Sequence, residues 1–395
     1  MGSTPARILI LGGGFGGLAT ANTLRRLLPA EHTIRVIDES PRFHVGAGKP
    51  WVMLGERTSA EISAERAMLL EPGIEFLPAT IAGLDLPNRS VQTTAGSQSW
   101  DYLVIALGTS LRQDAVPGLA EAHTFYTVPG AEKLRPVLAG FAKGNIVLLI
   151  PKAPYKCPAA PYEAAMLLQD FMANHGRKDT VRVQVYTVEG APMATAGAEM
   201  GAFIRGQLAE RGIGFFPQKT VSRVSPEAKQ VEFADNTVAP YDLLICVPPH
   251  TVPGVLQAAQ LTGPAGWIPV DPLTLEIKSA DGAGRVFAIG DVNSVALPGR
   301  YKPAVGLVMP KAGTVAAGQG TVVAQRIADQ IQGRTPTATF DGQGFCYLET
   351  GGGCALKGEG AFFSLPHPVM TRQPPSKEQL AGKLAWVAQQ LTPRR

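Results

Sequence analysis

Residues 7–17 read Arg7-Ile8-Leu9-Ile10-Leu11-Gly12-Gly13-Gly14-Phe15-Gly16-Gly17. The first part is an apolar strand, and Leu18 to Leu28 carries a helical pattern. Gly12, Gly14 and Gly17 fit GxGxxG, with Phe15 and Gly16 inside the loop. The first glycine allows a tight turn, the second lets a pyrophosphate approach the backbone, and the third lets helix and strand touch. A second strand, Thr33-Ile34-Arg35-Val36-Ile37, ends in Asp38 and Glu39. An acid there accepts hydrogen bonds from an adenosine ribose. A lone GxGxxG is weak evidence. Strand, glycines, helix, strand and terminal acid in this order predict a dinucleotide-binding fold.

Further along, Gly144-Asn145-Ile146-Val147-Leu148-Leu149-Ile150 reads as another buried strand, and Pro161 opens a helix with Glu163 in its first turn. The turn between them has no glycine from Pro151 to Pro161; it holds four prolines, Lys152, Lys156 and Cys157. A pyrophosphate cannot approach such a backbone. A second nucleotide site has given way to a thiol. Flanking lysines and a nearby helix start are expected to favour its thiolate.

Alternation of strand and helix extends over most of the chain. After Gly144–Ile150 come a helix over 161–174, a strand over 181–186, a helix over 197–211 and a strand over 242–247. A strand ending at Gly290-Asp291 and a helix over 311–332 follow. This is an α/β chain of doubly wound parallel sheets. The expected division is 1–110 with 251–333 as one discontinuous domain, 111–250 as a second Rossmann-like domain, and 334–395 as a small C-terminal region. That region holds strands around 344–349, a glycine turn at 351–353 and a helix over 377–391.

Composition excludes several classes. The net charge of +4 is dispersed, with no basic stripe among aromatics, so nucleic acid is not an expected partner. Four cysteines, at 157, 246, 346 and 354, are too few for a disulfide scaffold, and no spacing among them suggests zinc or attached haem. No apolar stretch is long enough to span a bilayer. The first strand begins too early for a visible signal peptide. The chain is expected to be cytoplasmic or peripheral on a membrane, and an oligomer is left open. The helix around Gln379–Ala388 is amphipathic; its apolar positions serve membrane contact or core packing equally well.

Two more segments resemble the flavin motifs of flavoproteins with two dinucleotide domains: Asp101 to Thr109, with Ala106, Gly108 and Thr109 at its turn, and Gly284 to Asp291, with Gly290 and Asp291 at its end. The resemblance then becomes specific. The fingerprint, the stretch Phe43 to Trp51, the segment Tyr155 to Glu163, and Gly306 to Gly313 leading to Gly344-Phe345-Cys346-Tyr347 resemble the sulfide:quinone oxidoreductase and flavocytochrome c sulfide dehydrogenase family. This implies a glutathione-reductase-like FAD/NAD(P)-binding fold. It implies FAD, contacted by Asp38, Asp291 and the glycine loop, and an enzyme passing electrons from sulfide to a quinone or a c-type cytochrome.

By motif position, the family's redox cysteines fall at Cys157 and Cys346, facing the flavin and linked by a disulfide or a sulfur chain. Glu163 is assigned to move a proton or to cap its helix. Lys311 is assigned to stabilise negative charge at the pyrimidine edge of the flavin. A third cysteine with a following histidine, frequent in the quinone reductases, is absent from Thr124 to Ala131, which favours a two-cysteine mechanism. No cysteine lies near His44 to link the flavin, so FAD is expected to be noncovalent. Cys246 and Cys354 are read as bystanders. Two alternatives remain: a nicotinamide-dependent flavoprotein of the type II NADH dehydrogenase or disulfide reductase kind, and a nonenzymatic flavin-binding or sulfur-carrier subunit.

Overall fold

The structure is a computed structural model and describes residues 5–277 and 284–394. Arg7–Leu11 lies at the centre of a five-stranded parallel sheet, ordered Val286–Ala288, Tyr102–Ile105, Arg7–Leu11, Thr33–Asp38, Glu75–Pro78. Its register pairs Leu9 with Arg35 on one side and with Leu103 on the other. A strand covered on both sides has to be apolar throughout, and Ile8 to Leu11 are buried. The helix Phe15–Leu27 covers one face and crosses Gly313–Ile331 at a glycine contact. There a Cβ at Gly320 would lie 2.5 Å from the Gly16 carbonyl oxygen.

A second parallel sheet has the order Gly214–Phe216, Val181–Thr187, Gly144–Ile150, Leu243–Cys246. The chain enters this half through Ser110–Leu111 and leaves it through His250–Thr251, and these two segments pair antiparallel. The helices expected here are observed as Ala160–Asn174 and Gly197–Glu210. The helix Val128–Gly140 was not expected. Pro129 in its first turn and Pro136 inside it mask its pattern, while the Thr127 hydroxyl caps it by accepting from the Gly130 amide at 3.0 Å.

The C-terminal strands Gln343–Gly351, Cys354–Ala361 and Val369–Arg372 form an antiparallel sheet. Its first hairpin turns at Gly352 and Gly353, both left-handed at φ 64° and 67°, as a primed two-residue turn requires. The Ser376 hydroxyl then caps the last helix, Lys377–Gln390. Among the described residues no helix is long and apolar enough to cross a membrane.

Candidate active site

A cleft of about 860 Å³ runs from the glycine loop at Gly12–Gly16, past the Gly290-Asp291 turn, to the two cysteines Cys157 and Cys346. Gly12, Gly14, Phe15 and Gly16 line one end, with Asp38 and exposed Glu39 at its rim. Gly17 does not line the cleft; its place is in packing, since a Cβ there would lie 1.9 Å from the Gly12 carbonyl oxygen.

Asp38 accepts from the Gly13 amide at 2.8 Å and the Ser40 amide at 3.0 Å, and pairs with Arg66 at 3.1 Å. Arg66 was not anticipated. It is buried beneath the loop and donates to the carbonyls of Gly13, Ser40 and Arg42. It holds the adenosine end of the cleft in shape.

Ala106, Gly108 and Thr109 line the middle of the cleft opposite Gly290, Asp291 and Lys311. Three polar atoms here are buried without a hydrogen-bond partner: Asp291 Oδ1, Thr109 Oγ1 and the Tyr126 hydroxyl. Buried polar groups ordinarily find partners, and a hydroxyl-rich cofactor chain would supply them. Burial raises the Asp291 carboxyl above its usual range, with Lys311, Lys156 and Lys49 opposing it. The Lys311 ammonium donates to the carbonyls of Asp291 at 2.6 Å and Asn293 at 3.0 Å and sits 3.6 Å from the centroid of the Trp267 ring. Burial lowers its pKa to about 8. It braces the Asp291 turn with two of its three N–H donors.

The cysteines come from distant elements. Cys157 sits in the loop before Ala160–Asn174 at φ 54°, and its amide donates to the Lys311 carbonyl at 2.7 Å. Cys346 sits on Gln343–Gly351. Both are free and both line the cleft. Cys157 is open to the cleft yet enclosed by protein on its other sides. That enclosure, followed by the charge on Glu163, pushes its thiol up to about 11. Burial, then the charges of Cys157 and Glu163, push Cys346 up to about 12.

This enclosure opposes the expected thiolate bias. Lys152 is exposed, and the helix begins only at Ala160. Burial also lowers the Lys156 ammonium's own proton affinity. Lys383 and Lys49 act on Cys157, Lys156 interacts with it as well, and burial outweighs them. Lys49 donates to the Tyr126 carbonyl at 2.6 Å, and burial and then Lys156 lower its pKa to about 7.

Glu163 does not cap its helix. Its Oε1 accepts from Lys383 at 2.9 Å and its Oε2 from the Glu349 amide at 3.1 Å. Lys383 also donates to Glu349 Oε1, which accepts from Trp51 Nε1 at 2.7 Å. Burial raises the Glu163 pKa, Lys383 opposes it and Glu349 adds to it. Burial works against the Lys383 ammonium, but Glu163 and Glu349 outweigh it and hold its proton more firmly than usual. Lys383 lies on the last helix, with Val387 also buried and Trp386 stacked on Phe15 at 5.7 Å between ring centroids. One face of that helix is thus consumed by the site.

Cys246 is buried in the second sheet, and Cys354 lies in the hairpin; neither lines the cleft. Just beyond the strand Val181–Thr187 stands Glu189, which by register matches Glu39, the residue after Asp38, in the first fold. It accepts from the hydroxyls of Tyr155 at 2.6 Å and Tyr162 at 2.7 Å. The acid that would meet a second ribose is occupied from within the chain.

Two family profiles match in overlapping stretches: pyridine nucleotide-disulphide oxidoreductase over residues 6–148, and the central part of the flavocytochrome c sulfide dehydrogenase flavoprotein chain over residues 132–248. The mitochondrial sulfide:quinone oxidoreductase of Mus musculus is 25% identical over 87% of this chain and 75% of its own length. The chain is similar to the sulfide:quinone oxidoreductase and flavocytochrome c sulfide dehydrogenase family. It is an FAD-binding oxidoreductase. The crystal structure of the Aquifex aeolicus sulfide:quinone oxidoreductase superposes with a TM-score of 0.84 at 22% identity, covering 97% of this chain and 90% of that one. A type II NADH:quinone oxidoreductase of Staphylococcus haemolyticus is 22% identical over 89% of this chain and 87% of its own length. The flavin fits the residues present: the glycine loop and Asp38 for the dinucleotide, Asp291 and Thr109 for its hydroxyl chain, and the cysteines beyond.

Proposed function

We propose that this enzyme oxidises sulfide to polysulfide or zero-valent sulfur through Cys157 and Cys346 and passes the electrons to a quinone or a c-type cytochrome. The observation that carries the reading is that these two cysteines, far apart in sequence, line one cleft together with Glu163. With the pair as a disulfide, hydrosulfide attacks one sulfur. The S–S bond breaks, leaving a persulfide on one cysteine and a thiolate on the other. Glu163, whose proton burial retains, gives it to the cysteine thiolate that leaves and takes one back when the persulfide releases its own. FAD, when bound, supplies the two-electron relay between sulfur and acceptor.

The aromatic wall of Phe345, Tyr347 and Trp386 around the cysteine end supports a quinone, whose flat ring it suits. A quinone acceptor also goes with peripheral contact with a bilayer. Leu365, Val305 and Val369 are exposed, with Arg300 and Lys302 nearby. The loops that carry them are joined, Arg300 donating to the Pro366 carbonyl at 2.8 Å.

Against a nicotinamide donor stand the glycine-free turn at 151–161 and the occupied Glu189. Anaerobic mixing decides between the donors. Sulfide should bleach the bound flavin and NADH should not; the reverse result refutes the proposal. The bleached enzyme, given a short-chain quinone or cytochrome c, then reports the acceptor.

A further inference from the structure

The cluster beneath the cysteines holds two carboxylates and one ammonium, all buried. Glu163 is 4% exposed, Glu349 5% and Lys383 0%. Each comes from a different element: the helix after Cys157, the strand of Cys346, and the C-terminal helix. Lys383 is shared between the two acids, and its chain passes over the Trp51 ring, its Nζ 4.6 Å from the centroid. Fully ionised, the trio would carry one uncompensated negative charge away from water. Such a charge is expensive, and the group neutralises instead by keeping a proton. One ammonium can balance only one of two carboxylates.

We propose that Glu163, Glu349 and Lys383 form a store for one proton, in which Glu349 claims the lysine so that Glu163 stays protonatable beside the cysteines. Glu349 and Lys383 are positioning residues; Glu163 is the group that exchanges the proton. The inference deepens the sulfide reading and rests on it for the proton's purpose, though not for its presence. The hydrogen bonds support the division of labour. Glu349 Oε1 accepts from both Lys383 and Trp51 Nε1, whereas each Glu163 oxygen accepts one bond.

Other charges face the store. Cys157 and Cys346 lie on the cleft side and feel Glu163. The Tyr126 hydroxyl also feels it, more weakly than it feels Cys157. Lys49 acts on Cys157 from the opposite wall. Glu56, on the solvent side, feels Glu349 and Lys383, with Asp170 beyond. None of these adds a cation within hydrogen-bonding reach of Glu163, so the imbalance stands. When sulfur chemistry places a new negative charge on either cysteine, the charge disfavours ionised Glu163. The store and the cysteines are thereby coupled.

The test counts protons in the resting FAD-loaded enzyme at neutral pH, with no sulfide present. Infrared difference spectra between wild type and variants read protonated carboxyl groups directly. Asp291 and Glu189 lie outside the cluster and cancel in the difference. Wild type should hold one protonated carboxyl in the cluster. Glu349→Gln and Glu163→Gln should each hold none, because one acid then faces one lysine. Lys383→Met should hold two, and Lys383→Arg should return to one. If Lys383→Met does not fold, the near-isosteric Glu349→Gln decides alone. A Glu349→Gln spectrum that retains the wild-type band overturns the proposal, as does a folded Lys383→Met that gains none. Because sulfide is omitted, failure here leaves the sulfide reading standing. An enzyme inert to sulfide can still show the predicted count.

Discussion

Two glycines of one motif should fail in opposite ways when each gains a single methyl group. In Gly17→Ala the new Cβ would lie 1.9 Å from the Gly12 carbonyl oxygen, against about 3.0 Å for the closest tolerable approach. Gly12 cannot give way. Its φ is 100°, its amide donates to Ile37 at 2.7 Å, and a Cβ on it would lie 2.4 Å from the Ala106 carbonyl oxygen. The helix Phe15–Leu27 must therefore retreat by about 1 Å. Overpacking of this kind costs about 1–3 kcal/mol, and it withdraws the amides that meet the pyrophosphate. In Gly14→Ala the Cβ meets no protein atom within 4 Å, and the backbone at φ −79° and ψ −165° suits any residue. The methyl group points into the cleft instead. Apo stability should change by no more than about 0.5 kcal/mol, while FAD binding weakens. The assay is paired: flavin per chain after purification, and thermal unfolding of the stripped apoprotein. Both variants should lose flavin, but only Gly17→Ala should melt earlier as apoprotein. A Gly17→Ala protein with full flavin and wild-type melting refutes the reasoning, and so does a Gly14→Ala apoprotein that is clearly destabilised.

Replacing Cys157 or Cys346 by Ser should abolish sulfide-driven bleaching while preserving flavin content, because a hydroxyl is too weak an acid to replace the thiol; wild-type bleaching by both variants would rule the pair out. Cys354→Ser should leave turnover near wild type, and Cys246→Ser should affect stability more than turnover, since it places a hydroxyl in a buried strand. In the reduced protein, alkylation of Cys157 should keep rising with pH toward a midpoint of about 11 rather than 9.0. At neutral pH that leaves about 100-fold less thiolate than an ordinary thiol; a midpoint at or below 9.0, read by site-resolved mass spectrometry, would contradict the enclosure. Acid precipitation should release the flavin into the supernatant, and flavin retained on the pellet would mean a covalent link.

What the sequence disclosed follows from how local each demand is. The glycine loop, the acid ending the second strand and the Gly290-Asp291 turn impose backbone requirements over a few residues, so they are legible without the fold. Cys157 stood out because a thiol replaced glycines in a strand–turn–helix, whereas Cys346 entered only through the family resemblance. Lys383 was hidden in plain view. Among Leu380, Leu384, Trp386 and Val387, a lysine reads as a long side chain reaching for solvent. Its place between Leu380 and Val387 on the buried face was the only signal. Glu349 and Arg66 carry no local pattern at all; their partners lie on other elements, and only tertiary structure brings them together. Lys311 shows the reverse case. Its position before a helix was visible, but the carbonyls and the indole ring that engage it were not. The helix Val128–Gly140 was missed because two prolines obscured an otherwise ordinary cap and stripe.

The paired tyrosine hydroxyls on Glu189 bear on the redesign of such a protein. An engineer wishing to give this chain a nicotinamide donor would naturally begin by restoring glycines between Pro151 and Pro161. That graft alone would fail, because the carboxylate needed for the incoming ribose would still be engaged by Tyr162, which sits on the helix and outside the replaced turn. Changing Tyr162 alone leaves Tyr155 in place, and the turn still closed. Neither edit brings a gain without the other. The loss of the second coenzyme therefore behaves like a ratchet: it is held by two elements at once, and no single substitution leads back.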